Sequence, residues 1–179
     1  MSRWIARLVA LAAGAALVHV LVVRLVPWAV MGLAIAGIER RAGVNTAVFA
    51  PRADETSRTI VRPSPDLLYG TCAFDVREHP LRIRAEVPRD TYWSLSMFAA
   101  NTDNFFVVND RQAGAGGTVD LVLARRGVPV QVPAGARLVE APTGRGLVLT
   151  RTLIASPERL DELDRARRRL SCEELRAAR

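Results

Sequence analysis

Two short polar segments of the chain hold the residue types that bind ligands or carry out acid–base chemistry. The first reads RPSPDLLY and contributes Arg62, Ser64, Asp66 and Tyr69. The second reads NTDNFFVVNDR and contributes six polar side chains: Asn101, Asp103, Asn104, Asn109, Asp110 and Arg111. Arginine pairs with anions, and carboxylates move protons or bind cations. We therefore treat all ten side chains as candidate ligand-binding residues.

The RPSPDLLY segment has both a functional and a structural interpretation. Its two prolines fix φ and remove two amide donors, and Ser64 is held extended by the proline that follows it. Such a rigid loop could present its polar side chains to an anionic or polar ligand. The same features suit a fixed lead into the first core strand, with Asp66 accepting hydrogen bonds from backbone amides and Tyr69 packing. The structural interpretation is favoured, and ligand binding stays open.

The NTDNFFVVNDR segment predicts a short strand between two turns. Asparagine and aspartate side chains at NTDN and NDR can bond nearby backbone amides and tolerate left-handed geometry. Asp103 and Asp110 would then lie at opposite ends of the strand, roughly 23 Å apart. A calcium ion needs six to eight clustered oxygen ligands. We therefore expect two turns and no metal site.

The sequence offers few residues for conventional catalysis. Its two histidines are His19, in an apolar segment, and His79, in the turn REHP, so no nucleophile–base–orienter set is visible. No catalytic residue and no cofactor is predicted. The alternative is an enzyme, or half of one, whose polar site is formed by the RPSPD and NTDN/NDR segments. It requires Arg62, Asp66 and Asp103 to converge with Arg111 in one pocket.

An apolar segment near the amino terminus predicts a membrane anchor. Residues Ile5–Val23 approach the length of about 20 residues that a helix needs to cross the hydrocarbon core. Trp4 and Trp28 bracket the segment and suit the two membrane interfaces. A cleaved signal peptide is the alternative, because AIA at 34–36 resembles a cleavage site, although it lies far downstream. We expect an uncleaved, single-pass signal anchor that contacts the membrane through residues 4–28.

The flanking arginines bear on the orientation of this anchor. Arg3 and Arg7 favour an amino terminus on the cytoplasmic side, whereas Arg24 and two later arginines favour the reverse. The short amino-terminal flank usually dominates. We therefore predict an inner-membrane protein whose folded domain lies in the periplasm.

The rest of the chain divides into a tether and a folded domain. Residues 1–41 hold the anchor and a juxtamembrane helix, 42–58 a polar tether, and 59–179 the domain. About eight short strand-like segments, from RTIVR at 58–62 to GLVLTRTLI, recur at roughly ten-residue spacing, which favours a β-sandwich or barrel. SPERLDELDRARRRL then predicts a C-terminal α-helix that begins at Ser156. The predicted class is mainly β.

The two cysteines predict a disulfide. Cys72 lies in a predicted strand and Cys172 follows the predicted C-terminal helix, about 100 residues later. A compartment outside the cytoplasm permits a bridge, and closing this loop would contribute about 4–5 kcal/mol in the chain-entropy description. Two buried free thiols are the alternative.

The formal net charge of +7 is almost entirely due to arginine. This charge favours contact with anionic lipid or with anionic partners. The arginines are scattered over strands and turns, with no aromatic residues interleaved, so we expect no nucleic-acid site.

Three segments carry a resemblance to a known family. IVRPSPDLLYGTCAFDV, YWSLSMFAANTDNFFVVNDR and RGLVLTRTLI resemble the bacterial domain of unknown function family 1254, over roughly Asn45 to Cys172. The resemblance implies an immunoglobulin-like β-sandwich and assigns no catalytic residue. In longer relatives a second β-domain, of the unknown-function family 1214, follows; this chain looks like a short, membrane-anchored form that lacks it. The resemblance therefore implies a possible partner, a separate protein that carries the second domain. Together with the anchor, the strand series and the lack of a visible catalytic set, it predicts a binding or accessory module of the cell envelope.

Overall fold

The chain folds into a long amino-terminal helix and two β-sheets that share one core. The computed structural model describes residues 2–58, 62–114 and 117–175. Helix α1 spans Arg3–Ala42. The strands of the described part are β1 Ala47–Phe49, β2 Leu67–Asp75, β3 Leu81–Glu86, β4 Trp93–Ala99, β5 Asn104–Asn109, β6 Thr118–Arg125, β7 Arg137–Ala141, β8 Arg145–Leu153 and β9 Ser171–Glu174. Helix α2 is Asp110–Ala113 and helix α3 is Leu160–Arg167, preceded by a 3-10 turn at Pro157–Arg159.

The strands form two sheets. Sheet I has the order β1-β2-β8-β4-β5 and is antiparallel throughout, whereas sheet II has the order β7-β6-β3-β9 with β6 and β7 parallel. The predicted mainly-β class, with an N-terminal apolar helix and a C-terminal helix, is confirmed. The strand predicted from RTIVR falls largely on residues 59–61, which lie outside the described residues.

Both sheets contribute to the core through the period-two alternation that the sequence shows. In β3, Leu81, Ile83 and Ala85 are buried while the intervening arginines face outward. Trp93 and Phe74 from sheet I fill the same core cluster. Because side chains alternate along a strand, burying one set of residues places the intervening polar residues on the outer face of each sheet.

Helix α1 is continuous and ends on the outer face of sheet I. Pro27 lies inside it, and the predicted anchor and juxtamembrane helix are parts of this one helix. Met31 and Ile35 are buried in a small cluster with Ala73 of β2. Gly43, at φ 89°, ends the helix in a conformation that glycine adopts without strain. The helix is long and apolar enough to cross a membrane, a property that signal sequences share.

Two edge strands were not expected. Strand β1 lies within the predicted tether and pairs with β2, and β9 follows the C-terminal helix and pairs with β3. Strand β9 brings Cys172 into the core, where Cys72 is also buried. The two thiols are not bonded to each other here, so the disulfide stays a prediction.

Candidate functional site

A row of polar side chains crosses the outer face of sheet I, and we call it the polar ladder: Tyr69, Arg151, Ser94 and Asn109. The strand register places these residues side by side, because Tyr69 pairs with Arg151, Arg151 with Ser94, and Ser94 with Asn109. Their neighbours along each strand, such as Leu68, point into the core. Four strands, β2, β8, β4 and β5, therefore supply one residue each.

The hydroxyl groups of the ladder are held by local hydrogen bonds. The Tyr92 hydroxyl bonds the Ser94 hydroxyl at 2.9 Å, and Ser94 is buried. The Tyr69 hydroxyl accepts a hydrogen bond from the Ser64 amide at 2.9 Å, which fixes the phenol ring over the loop. Both hydroxyls are thus positioned before any ligand arrives.

Arg151 is the charged centre of the ladder. Its side chain is half-buried, and it makes no hydrogen bond or ion pair within residues 2–58, 62–114 and 117–175. In contrast, Arg145, on the same face of β8, pairs with Glu39 of α1 and lies 3.8 Å from Asp75. A guanidinium without a carboxylate partner retains donors for an anionic or carbonyl ligand.

The RPSPD segment leads into β2 at the ladder end of sheet I. The Ser64 hydroxyl accepts from the Asp66 amide at 3.3 Å, and the Asp66 carbonyl accepts from the Ile154 amide at 2.9 Å. Ser64, rather than the expected Asp66, supplies the side-chain acceptor of this turn. Arg62 and Asp66 are exposed, and their side chains form no hydrogen bond or ion pair with the residues that the structure describes. The loop is a fixed connection, and the Ser64–Tyr69 hydrogen bond joins it to the ladder.

The NDR residues lie at this same end and form a helical turn. Asn109 caps α2, since its side chain accepts from the Gln112 amide at 3.1 Å while the Gln112 side chain accepts from the Asn109 amide at 3.2 Å. The Asp110 carboxylate accepts from the Trp93 amide at 3.2 Å. Arg111 is exposed. The side chains of Asn109 and Asp110 therefore stabilise the local backbone. Arg111 is, with Arg62, a second exposed arginine at this end of sheet I.

The NTDN residues form a tight turn at the opposite end of β5. The Asn101 amide group donates to the Asp103 carboxylate at 2.6 Å, and the Asp103 backbone amide donates back to Asn101 at 3.3 Å. Thr102 adopts a left-handed φ of 73° at the tip. Asn104 is exposed and begins β5. These side chains stabilise a turn, as the sequence indicated.

The two polar segments therefore do not share one site. The six-residue β5 separates Asp103 from Arg111 by roughly 20 Å. Asp66 lies at the same end of sheet I as Arg111. Arg62 comes four residues before Asp66, in the loop that leads to this same end. A single pocket built from all four residues is not formed, whereas RPSPD and NDR do flank the same polar ladder.

A small polar cleft of about 190 Å³ lies where α1 meets the sheets. It is lined by Val44, Asn45, Asp75, Arg77, Glu78, His79 and Glu174. The hydrogen bond from Arg77, at 2.6 Å, is the main reason that the pKa of Asp75 lies below its ordinary value. Asn45 bridges the Asp75 carbonyl and the Glu174 carboxylate at 3.1 and 3.2 Å. These contacts join α1's end to both sheets. No group of three metal-ligating side chains gathers in the described part of the chain.

Arg167 is a buried residue that the sequence interpretation overlooked. Its guanidinium donates to the carbonyls of Ala50 at 2.7 Å and Tyr69 at 3.0 Å, and it pairs with Asp164. Burial lowers the pKa of Arg167, and Asp164 opposes that shift. Arg167 thus connects α3 to the strand residue that carries the ladder's phenol ring. The only signal in the sequence was the run RARRR, which gives no hint of burial.

Two solved structures are similar to parts of this chain, and the first of them shares its fold. A crystal structure of a protein from Vibrio parahaemolyticus has a TM-score of 0.62 at 14% identity, over 83% of this chain and 37% of that chain. An uncharacterised protein from Burkholderia cenocepacia has a TM-score of 0.48 at 17% identity, over 74% of this chain and 34% of that chain. This chain thus spans little more than a third of either solved chain.

The sequence itself identifies the family. No curated protein matches the chain. A family model described as a protein of unknown function, DUF1254, matches residues 44–174, which include the polar ladder and both polar segments. The chain therefore belongs to the DUF1254 family.

Proposed function

We propose that this protein is a membrane-anchored binding or accessory module of the cell envelope. In this proposal α1 crosses the inner membrane once, and the two sheets form an immunoglobulin-like β-sandwich in the periplasm. The module works with a separate protein that carries a second β-domain. One observation carries the proposal: α1 exposes apolar residues on all sides over its first part and packs only its last turns on sheet I.

The dimensions of α1 support this arrangement. Its 40 residues extend about 60 Å, whereas the hydrocarbon core of a bilayer takes about 20 residues. The apolar window is exposed along its whole length, while Met31 and Ile35 are buried against the domain. The Glu39–Arg145 pair holds the last turns in place. A packed helix, rather than a loose linker, would hold the domain close to the membrane surface.

Removal of residues 2–30 is expected to release the protein from the membrane. The deletion removes the exposed apolar stretch and leaves the turns that pack on sheet I. Full-length protein should stay in carbonate-washed membranes, and the shortened protein should appear in the soluble fraction. Protease added to intact spheroplasts should digest the domain of the full-length protein if it lies in the periplasm. Full-length protein in the soluble fraction would contradict the anchor, and a protected domain would contradict the orientation.

The polar ladder is the surface that we propose for the partner. The Arg151 guanidinium has no partner in the part of the chain that the structure describes, and the Ser94 and Tyr69 hydroxyls beside it are fixed. Arg62 and Arg111 add exposed positive charge at the same end of sheet I. The ladder lies four residues along each strand, about 13 Å, from the row that α1 covers. Met31 and Ile35 of α1 pack on that row and not on the ladder. The chemistry of the ladder suits a partner that presents carboxylates or backbone carbonyls.

Replacing Arg151 with alanine is expected to reduce partner recovery about 10-fold or more, the usual consequence of losing charge-assisted hydrogen bonds at an interface. The measurement is affinity purification of full-length protein from detergent-solubilised native membranes, with quantitative mass spectrometry. Arg126→Ala is the matched control, because Arg126 is an exposed arginine in the turn between β6 and β7 of sheet II.

The comparison of the two variants decides the proposal. A stoichiometric β-domain protein that Arg126→Ala retains and Arg151→Ala loses supports the ladder as its docking surface. Equal recovery with both variants would remove the ladder from the interface. Recovery of the wild-type protein alone would contradict the accessory role.

A catalytic site formed jointly by the RPSPD and NTDN/NDR segments is not favoured. Asp103 hydrogen-bonds within its own turn, and β5 separates it from Arg111. Acid–base catalysis requires its groups within hydrogen-bond reach of one substrate. The enzyme alternative would have to use the RPSPD–NDR end of the sheet alone.

A further inference from the structure

The two cysteines of the chain are neighbours in the core. Cys72 lies in β2 of sheet I, opposite Val148, and Cys172 lies in β9 of sheet II, opposite Ile83. They are 0% and 7% exposed, and both belong to the same hydrophobic cluster. The sequence holds no other cysteine, so only one intramolecular pairing exists.

The surroundings of Cys172 include Cys72. Burial is the main cause that raises the pKa of the Cys172 thiol well above its ordinary value, and a hydrogen bond with the Cys72 thiol adds to the shift. Both side chains enter the core between the sheets, and Asn45 bonds both Asp75 of β2 and Glu174 of β9, so the two strands approach each other there. Thiols that face each other in this way form a bond with less backbone movement than thiols whose side chains diverge.

We propose that Cys72 and Cys172 are joined by an inter-sheet disulfide in the mature protein, which fastens the C-terminal strand to β2. The inference rests on the proposed function in one respect, because it needs a domain outside the cytoplasm, where disulfides persist. The thiol pair itself does not depend on that placement.

The oxidation requires a disulfide-bearing oxidant, either a thiol–disulfide exchange protein or a small disulfide such as oxidised glutathione. The thiolate of one cysteine attacks a sulfur of the oxidant, and a mixed disulfide forms as the oxidant's S–S bond breaks. The second cysteine displaces the oxidant and completes the bridge. The pair loses two protons and two electrons, and the oxidant is released as two thiols.

The burial of both thiols indicates when this reaction takes place. A buried thiol with a raised pKa is a poor nucleophile and is shielded from an oxidant. Cys172 lies in β9, an edge strand at the C-terminal end of the described chain. The oxidant can therefore reach both sulfurs before β9 docks on β3, and the completed bridge is then enclosed in the core.

The bridge would add a covalent link to a short edge strand. Strand β9 spans four residues and pairs with β3 alone. Beyond the strand pairing, the Leu175 amide donates to the Pro80 carbonyl at 2.8 Å, and Asn45 donates to Glu174 at 3.2 Å. A disulfide prevents β9 from fraying, and it encloses about 100 residues in one covalent loop.

The test is differential alkylation of the full-length protein in native membranes. N-ethylmaleimide is added under denaturing conditions without reductant, followed by reduction and iodoacetamide. We expect both cysteines to carry only the second reagent, and an unreduced digest to contain the Cys72 and Cys172 peptides joined. Recovery of both cysteines with N-ethylmaleimide would overturn the proposal.

A stability comparison provides a second readout. Purified wild-type protein in detergent should lose about 10 °C of Tm when it is reduced. The variant with both Cys72→Ala and Cys172→Ala should show the same Tm with and without reductant. A wild-type Tm that does not respond to reductant would overturn the bridge, even if the double variant folds poorly.

Failure of this inference and failure of the proposed function are separable. Carbonate extraction of the same membranes reports on the anchor independently of the cysteines. Free thiols in the native protein, together with bridge formation by oxidised glutathione in purified protein near its urea midpoint, would overturn the bridge in the native protein. That result would mean that the domain does not lie in an oxidising compartment. If purified protein also stays reduced, the facing geometry of the two thiols is overturned.

Discussion

Replacing Arg167 with alanine is expected to lower the free energy of unfolding by about 3–4 kcal/mol. The Arg167 side chain is 3% exposed and satisfies the carbonyls of Ala50 and Tyr69. Its removal leaves the two carbonyls without this donor in a buried site, whereas Asp164, which is 29% exposed, keeps its bond to Arg168. The cost of the unpaired groups, rather than the lost attraction, dominates the loss.

Arg168→Ala is the matched control for this change. Arg168 also bonds Asp164, at 2.7 Å, and its guanidinium lies 5.7 Å from the Phe49 ring, as that of Arg167 does. Its side chain is 57% exposed, so the loss should stay below about 1 kcal/mol. Urea unfolding of the detergent-solubilised proteins, followed by tryptophan fluorescence, measures both. Equal midpoints for the two variants would show that burial of Arg167 does not matter to stability.

The function of Arg167 in the fold is to link three elements. Helix α3, the end of β1 and the start of β2 meet at its guanidinium. Because Tyr69 belongs to the polar ladder, loss of Arg167 should also disturb the loop that the Tyr69 hydroxyl holds. Stability and partner binding are therefore expected to decline together in Arg167→Ala, whereas Arg151→Ala should affect partner binding alone.

The interior strands were predictable because alternation in the sequence reports directly on burial. Strand β3 shows apolar and charged residues in strict turn, and the structure buries the first set. Strands β1 and β9 are short and carry no such alternation. Strand β9 reads SCEE, with one apolar residue, and it exists because β3 offers an open edge beside it. The formation of β9 thus depends on a tertiary contact with β3 and cannot be predicted from the residues of β9 themselves.

The local chemistry of the polar segments was also predictable, but their grouping was not. Asparagine and aspartate in NTDN favour a turn in any context, and Asn101 and Asp103 form it. The polar ladder, in contrast, takes residues from four strands far apart in sequence. Its existence depends on the strand order β2-β8-β4-β5 and on the register, neither of which alternation determines.

The run RARRR illustrates the same difference for charge. On a helix, consecutive arginines indicate a solvated end that complements the dipole, and Arg168 and Arg169 fit that description. Arg167 is buried because α3 lies over the ends of β1 and β2, where two carbonyls need donors. The packing of α3 on the sheet determines which arginine of the run is buried, and the run itself does not indicate which one it is.

Replacing Gly146 with alanine is expected to destabilise the domain by about 3 kcal/mol or more. A Cβ at this position would lie 2.1 Å from the Phe98 carbonyl oxygen and 2.4 Å from the Phe74 ring. Gly146 pairs with Phe74 on one side and with Ala99 on the other, so β8 cannot move away from one strand without approaching the other. The clash must be relieved by shifting backbone in the middle of sheet I.

Gly144→Ala separates this effect from a general cost of losing glycine. A Cβ at Gly144 would lie 2.5 Å from Cγ of Arg77, whose side chain is 62% exposed and can shift only by weakening its pair with Asp75, and exposed pairs of this kind contribute little to stability. We expect a loss below about 1 kcal/mol for this variant, two positions from Gly146 in the same sequence segment. Urea midpoints of the two detergent-solubilised variants give the comparison.

The site of the Gly146 clash also connects stability to the anchor. Phe98 and Leu147 pack against the cluster that seats Met31 and Ile35 of α1. A displaced β4–β8 pair should therefore loosen the helix from the sheet, and protease should cut faster near the end of α1 in Gly146→Ala than in Gly144→Ala. If the two variants unfold at the same urea concentration and resist protease equally, the close pairing of β4, β8 and β2 around Gly146 is wrong. The strand register that places Arg151 between Tyr69 and Ser94 would then be wrong as well.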